Sequence, residues 1–302
     1  MPIHLPPLSR RDFLAATLAT GAGLLLPKEL LAGQPEADPD RWTLLADTHV
    51  CENADRVHQG VRPVKNFAAA RGEYLAFKPR PAGLIVAGDC AFLEGATGDY
   101  TMLAELVQPI RRAGVPLHFA LGNHDHRANF YRAFPEARPA GEPPVIDKHV
   151  SILETPRANW FLLDSLQRTN DLPGRLGEVQ LQWLAKALDA RADRPALVVA
   201  HHNPQTTGGR GGLQDFNALL DVLRPRKQVK AYLYGHMHIW SLSQADGIHL
   251  INLPTLVWLW DKTAPQGWVD ATLRADGISL TLHMLDKGHA ANGQRVELPW
   301  RA

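Results

Sequence analysis

The sequence predicts an α/β chain in which strands and helices alternate in layers and a second sheet follows. Three observations lead there: short apolar runs of strand length, amphipathic stretches between them, and a change to strand after strand near the C-terminus. Trp42–Ala46, Gly83–Ala87, Pro116–Leu121 and Pro195–Ala200 show no polar alternation, as expected for strands buried on both faces. Each stops abruptly at a polar cluster. Val64–Phe77, Tyr100–Arg112, Glu178–Arg191 and Leu213–Leu223 carry apolar residues at helical spacing. Val150–Leu153 and Trp160–Leu163 have no helix between them and predict a hairpin. Ile248–Leu253, Trp268–Leu273 and Ile278–Met284 then succeed one another as strands. No long linker precedes them, which favours a second sheet in the same domain over a separate domain.

Composition bounds the function. With 302 residues, 45% hydrophobic and 21% charged, the chain is neither disordered nor fibrous. Lys plus Arg at 32 against Asp plus Glu at 31 gives a net charge of +1, so no global basic field exists to hold nucleic acid, and a small-molecule partner is expected. Two cysteines, Cys51 and Cys90, are too few for a disulfide framework, and buried free thiols are the favoured reading for both. Fourteen histidines are the one compositional excess.

The N-terminus carries an address. Ser9-Arg10-Arg11-Asp12-Phe13-Leu14 is followed by an apolar stretch to Leu26, too short to span a bilayer. The pattern resembles a twin-arginine export signal, which implies the export machinery as a partner and a periplasmic or secreted product. We assign residues 1–33 to the signal, 34–40 to a linker, 41–286 to the domain and 287–302 to a C-terminal tail. Removing 1–33 takes away three basic and two acidic residues and leaves a neutral chain, with no membrane span expected in it.

Ligands of α/β folds gather at the carboxyl ends of parallel strands. The residues immediately after the apolar runs form a consistent series: Asp47-Thr48-His49, Gly88-Asp89, Gly122-Asn123-His124-Asp125, His201-His202, and, after Tyr232-Leu233-Tyr234, Gly235-His236-Met237-His238. Imidazole, carboxylate and amide oxygen without thiolate suit Zn, Mn or Fe. In an extended or tightly turned segment residues i and i+2 can point to the same side, so both ends of Asp-x-His and His-x-His can reach one small cavity. The glycines remove Cβ where the chain must bend beside the ions.

The ordered set Asp47-x-His49, Gly88-Asp89, Gly122-Asn123-His124-Asp125, His201 and Gly235-His236-x-His238 resembles the calcineurin-like metallophosphoesterase superfamily. Its pattern is more similar to the bacterial cyclic-nucleotide and glycerophosphodiester phosphodiesterases than to purple acid phosphatases, because Cys90-Ala91-Phe92, not a nearby Tyr, follows Asp89. The resemblance implies a four-layer α/β/β/α sandwich of two mixed sheets flanked by helices. It also implies two metal ions, Fe, Mn or Zn, the first held by Asp47, His49 and His238, the second by Asn123, His201 and His236, with Asp89 bridging. The implied reaction is in-line attack of a metal-bridging hydroxide on a small phosphodiester or monoester, the diester favoured. His124 would stabilise the transition state or protonate the leaving group, and Asp125 would orient its ring. The alternative is a metal-binding receptor or interaction module without turnover, which the presence of both His124 and Asp89 argues against.

Several residues remain outside this set. His201 is preferred to His202 as a ligand because it directly ends the strand. The family often shows His-His-Pro-Pro where this chain has His201-His202-Asn203-Pro204. Arg210 is read as a surface-loop residue, His126 and Arg127 as a helix start, and Asp164 as support for the fold. Trp258 and Trp260 are read as core, with a rim platform for a nucleobase as the second reading. His58, His118, His149, His249, His283 and His289 match no cluster.

Overall fold

The computed structural model describes residues 37–139, 141–205 and 209–302; the export signal and the first three residues of the linker lie outside them. Two six-stranded mixed sheets face one another. The first has the order β12-β11-β10-β1-β2-β3, built from β1 (Ala37–Leu45), β2 (Arg80–Ala87), β3 (Leu117–Ala120), β10 (Gly267–Leu273), β11 (Gly277–Met284) and β12 (Arg295–Pro299). The second has the order β4-β5-β6-β7-β9-β8, built from β4 (Ser151–Glu154), β5 (Asn159–Leu162), β6 (Ala196–Val199), β7 (Val229–Tyr234), β8 (Ser241–Ala245) and β9 (Ile248–Asn252). Helices α1 (Pro63–Leu75), α2 (Thr97–Leu106) and α3 (Gln108–Arg112) belong to the connections of the first sheet, and α4 (Arg127–Ala133) to the crossover from β3 to β4. Helices α5 (Glu178–Asp189) and α6 (Phe216–Leu223) belong to the connections of the second sheet.

Strand periodicity explains the four layers. Successive side chains of a strand point to opposite faces. Trp42, Leu44, Ile85 and Ala87 therefore meet Leu197, Val199, Ala231 and Leu233 between the sheets. Their neighbours Leu45, Leu84 and Val86 pack outward on Phe67, Tyr74 and Leu103 of α1 and α2. On the other side Val198 and Tyr232 pack outward on Leu184, Leu219 and Leu223 of α5 and α6. A one-residue register slip would exchange these faces, and with each Leu, Ile or Val contributing about 1.5–3 kcal/mol by burial the register is strongly held.

The α/β/β/α sandwich agrees with the sequence reading, but several elements differ. The strands after residue 248 do not form a sheet of their own: β9 joins the second sheet, whereas β10 pairs antiparallel with β1 and carries β11 and β12 into the first. The segment 287–302, expected as a tail, contains β12, which pairs with β11. Ala37 and Asp38, expected in a linker, already pair with Arg80 and Pro81 of β2. The helix expected over 100–112 is two, meeting at Val107, because Pro109 lacks the amide hydrogen that would continue the first and suits the start of the second. The hairpin is present as β4 and β5, with Ser151 opposite Leu162.

Candidate metal centre

Strands β1, β2 and β3 run parallel, as do β5, β6 and β7, so their carboxyl ends deliver loops to one side of each sheet. Hydrogen bonds lace these loops together. The amide of Asp47 donates to Gly88 O (3.1 Å) and that of His49 to Asp89 O (2.9 Å). Within the second sheet the amide of Gly235 donates to His201 O (3.0 Å), and the two sheets are joined by the amide of His236, donating to Asp47 Oδ1 (3.1 Å), and by His201 Nδ1, donating to Ala87 O (2.9 Å). Two close approaches require glycine. A Cβ on Gly122 would stand 2.2 Å from Asp89 Oδ1, and one on Gly235 would stand 2.4 Å from Asp47 Oδ2.

The result is two adjacent groups of donors. Asp47, His49 and His238 form one and Asp89, His201 and His236 the other, each with its ligand atoms within 4.8 Å of one another, a spacing that could hold a metal ion. Asp89 Oδ2 lies 3.1 Å from His201 Nε2 and 3.5 Å from His49 Nε2, so one carboxylate oxygen faces both groups. His238 Nε2 lies 3.4 Å from Asp47 Oδ1 and 3.3 Å from His49 Nε2, and His236 Nδ1 is 3.3 Å from His201 Nε2. Five of these residues, Asp47, His49, Asp89, His236 and His238, hold positive φ between 39° and 72°. That left-handed conformation costs about 1–3 kcal/mol per residue and persists only where surrounding bonds enforce it, as they do here.

The chemistry of the donors fits cations. His49 Nδ1 faces Phe92 O (3.3 Å) and His238 Nδ1 faces Trp258 O (2.7 Å). Carbonyls only accept, so each Nδ1 carries the hydrogen, and in the neutral ring each Nε2 presents a lone pair. Two such lone pairs 3.3 Å apart repel unless a positive charge lies near both. Asn123 Oδ1 is buried without a hydrogen-bond partner, an acceptor that a bound cation would satisfy. Burial lowers His49 to about 3 and His236 to about 4, the proton-free state a ligand needs. Burial also pulls on His201, but the Asp89 and Asp47 carboxylates outweigh it and raise that ring to about 9. His238 likewise overcomes burial and is raised by Asp47. Burial opposes ionisation of Asp89, yet His201 and His124 hold it well below the usual carboxylate range. Protons on His201 and His238 and a bound cation are thus alternative ways of neutralising the same two carboxylates.

Six of the seven residues expected as ligands fall in the two donor groups; one expected role is not matched by the geometry. Asp125 does not touch the His124 ring. It accepts from the amides of Cys90 (3.1 Å), Ala91 (3.1 Å) and Gly122 (2.8 Å) and from the Tyr100 hydroxyl (2.9 Å), tying the loops after β2 and β3 to α2. The group that orients His124 is the carbonyl of Leu93, 2.6 Å from Nδ1. Thirty-one residues separate the pair, and nothing in the sequence marks a carbonyl for this role. His202 turns away from the centre to Ser165 Oγ (2.7 Å) and Leu172 O (3.1 Å), in keeping with the choice of His201. Arg127 forks onto Asp164 at 2.7 and 2.8 Å, and Asp164 also accepts from the amides of His149 and Leu166, so it supports the fold. His126 caps α4 through Asn129 N, and Arg210 is exposed. Cys51 and Cys90 are free and buried. Trp258 is buried against His49 at 4.5 Å between ring centroids, whereas Trp260, expected in the core, is 63% exposed.

Comparison with known proteins agrees with this geometry. The calcineurin-like phosphoesterase model matches residues 41–240, and the twin-arginine translocation signal model matches residues 7–27. The chain is 31% identical over 184 residues to a 3',5'-cyclic adenosine monophosphate phosphodiesterase of Pseudomonas aeruginosa, covering 59% of this chain and 62% of that protein. It is 30% identical to a probable cyclic nucleotide phosphodiesterase of Rhodopseudomonas palustris, covering 66% of this chain and 71% of the relative. An Escherichia coli 3',5'-cyclic adenosine monophosphate phosphodiesterase is 29% identical over 83% of this chain and 90% of its own. Among solved structures, a dimetal phosphatase from Danio rerio superposes with a TM-score of 0.65 at 17% identity over 87% of this chain and all of its own, which shows the shared fold. The signal marks the chain for export across a membrane, and among the described residues no helix is long and apolar enough to cross one. With two thirds of its length matched and both donor groups in place, the chain belongs to the calcineurin-like phosphoesterase family, whose domain implies divalent metal ions.

Proposed function

We propose that this chain is an exported binuclear metallophosphoesterase that hydrolyses a small phosphodiester, with 3',5'-cyclic nucleotides as the favoured class, in the periplasm or outside the cell. The observation that carries the reading is the single oxygen of Asp89 facing two donor groups, Asp47 with His49 and His238, and His201 with His236. Asn123, through its unpaired buried carbonyl, completes the second group. The names of the curated relatives support the diester class. Fe, Mn and Zn all suit the donor set. Two ions bound there supply Lewis acidity toward the phosphoryl oxygens and make water nucleophilic near neutral pH.

The chain's own groups do the rest. The buried carboxylates of Asp47 and Asp89 stay ionised and hold the positive charge in place. His124 donates its backbone amide to Asp89 Oδ1 (2.8 Å), and its ring centroid is 5.2 Å from that of His49, which keeps it at the edge of the centre. With Nδ1–H directed at Leu93 O, Nε2 is the nitrogen free to meet substrate. From the protonated ring it donates to the departing alkoxide oxygen, and the ring recovers its proton from solvent.

The test is to reconstitute the exported chain separately with Mn, Fe and Zn and assay it on 3',5'-cyclic AMP, a chromogenic diester and its monoester counterpart. Diester turnover supports the reading. Turnover of the monoester alone redirects it to phosphate scavenging, and silence with both ions bound overturns catalysis in favour of a receptor.

A further inference from the structure

Trp260 is an exposed indole beside a ligand. Of the large apolar side chains that reach solvent among the described residues, it is the one aromatic, at 63% exposure. Its ring lies nearly parallel to that of His238, at 5.6 Å between centroids and 27° between planes. The segment that carries it is anchored to the centre. Thr255 Oγ1 donates to Asp47 O (3.2 Å) and accepts from the amide of Val257 (3.0 Å), and Asn66 Nδ2 donates to Leu256 O (2.7 Å). Trp258 O takes the Nδ1 hydrogen of His238. Leu256, Val257 and Trp258 are buried, and the chain then turns Trp260 out into solvent at the rim. Met237, between the two histidines of its turn, is 41% exposed.

An indole left in water has no stabilising role in folding commensurate with its apolar area, and here the buried segment before it holds it at the edge of a polar centre. A flat, π-rich, preorganised surface at that place suits a flat π-system one sugar away from a reacting phosphate. We propose that Trp260 is the stacking platform for the nucleobase of the substrate, so that it determines selectivity for nucleotides over diesters without a base. This inference rests on the phosphodiesterase reading and deepens it. Stacking is indifferent to hydrogen-bond pattern but grows with ring area, so purine nucleotides are preferred to pyrimidine nucleotides.

Two measurements on the metal-loaded chain test it. The first is the ratio of kcat/KM for 3',5'-cyclic AMP to that for methyl p-nitrophenyl phosphate, a diester without a nucleobase. The ratio falls about 10- to 100-fold in Trp260→Ala, mostly through KM, and Trp260→Phe restores most of it. The second is independent of turnover: calorimetric affinity for adenosine 5'-monophosphate against ribose 5-phosphate, where the wild-type preference for the base-bearing ligand is lost in Trp260→Ala. An unchanged ratio and an unchanged preference overturn the platform, as does an equal loss on both diesters, which makes Trp260 a support for His238 only. If the wild type fails to cleave cyclic nucleotides yet keeps a Trp260-dependent preference for the adenosine ligand, the platform stands and the cyclic-nucleotide reading falls.

Discussion

The two donor groups are built from the same residue types but enclosed differently. In the first, Asp47, His49 and His238 are all buried, both imidazoles are pinned through Nδ1 by backbone carbonyls, and Trp258 packs on both rings, at 4.5 Å from His49 and 5.3 Å from His238. In the second, His201 is pinned to Ala87 O, but His236 presents Nδ1 to the centre and is only half-buried, with Gly211 beside its Nε2. A closed group holds an ion by preorganisation and an open one leaves room for exchange and for substrate. The difference assigns the first group to retention and the second to the open side of the reaction.

The largest effect belongs to the residue both groups share. Asp89→Ala removes the common oxygen, so both ions are lost and turnover falls to background, read by elemental analysis alongside the assay. Next come the separate groups. His236→Ala loses the second ion and keeps the first, whereas His238→Ala loses the first and also frees the Trp258 segment, so its melting temperature drops further. Equal metal loss and equal melting in the two variants would erase the distinction between a closed and an open group. His124→Ala removes a ring that packs on His49 but is not one of the donors; turnover falls about 10²–10⁴-fold with metal content nearly unchanged. A parallel loss of metal would make His124 structural instead.

Much of this was legible in the sequence, because each ligand directly follows an apolar strand and strand ends are where a parallel sheet delivers side chains. Gly122 and Gly235 were legible for the same reason, and the close approaches to Asp89 and Asp47 give their cause. The partner of His124 was not, since a backbone carbonyl 31 residues upstream carries no residue-type signal. Asp125 carried a misleading one: adjacency to His124 suggested contact, while its carboxylate points to Cys90, Ala91, Gly122 and Tyr100. β8 and β12 were missed because they are edge strands, whose sequences SLSQA and RVELP lack a buried apolar run. Trp258 and Trp260 sit two residues apart in one motif, and only tertiary packing buries the first and exposes the second.

Away from the centre, effects fall on stability alone. Asp164 is wholly buried, and its fork with Arg127 is a charged pair whose loss of one partner strands the other. Asp164→Ala is expected to destabilise the chain by about 3–5 kcal/mol in denaturant unfolding without altering the ratio of metals bound. The smallest effect concerns His118 on β3, which burial lowers from 6.5 to about 4. The unfolded chain takes up this proton first, so the contribution of neutral His118 is present above pH 6.5 and is lost as pH falls toward about 4. His118→Gln flattens that part of the stability profile; an unchanged slope would place the acid sensitivity elsewhere.

The most direct measurement is an anomalous difference map from crystals of the metal-loaded chain. Two peaks are expected flanking Asp89 Oδ2, one among Asp47, His49 and His238, the other among Asn123, His201 and His236. A single peak, or a second one that leaves Asn123 and Asp89 outside its coordination, would contradict a binuclear centre bridged by Asp89.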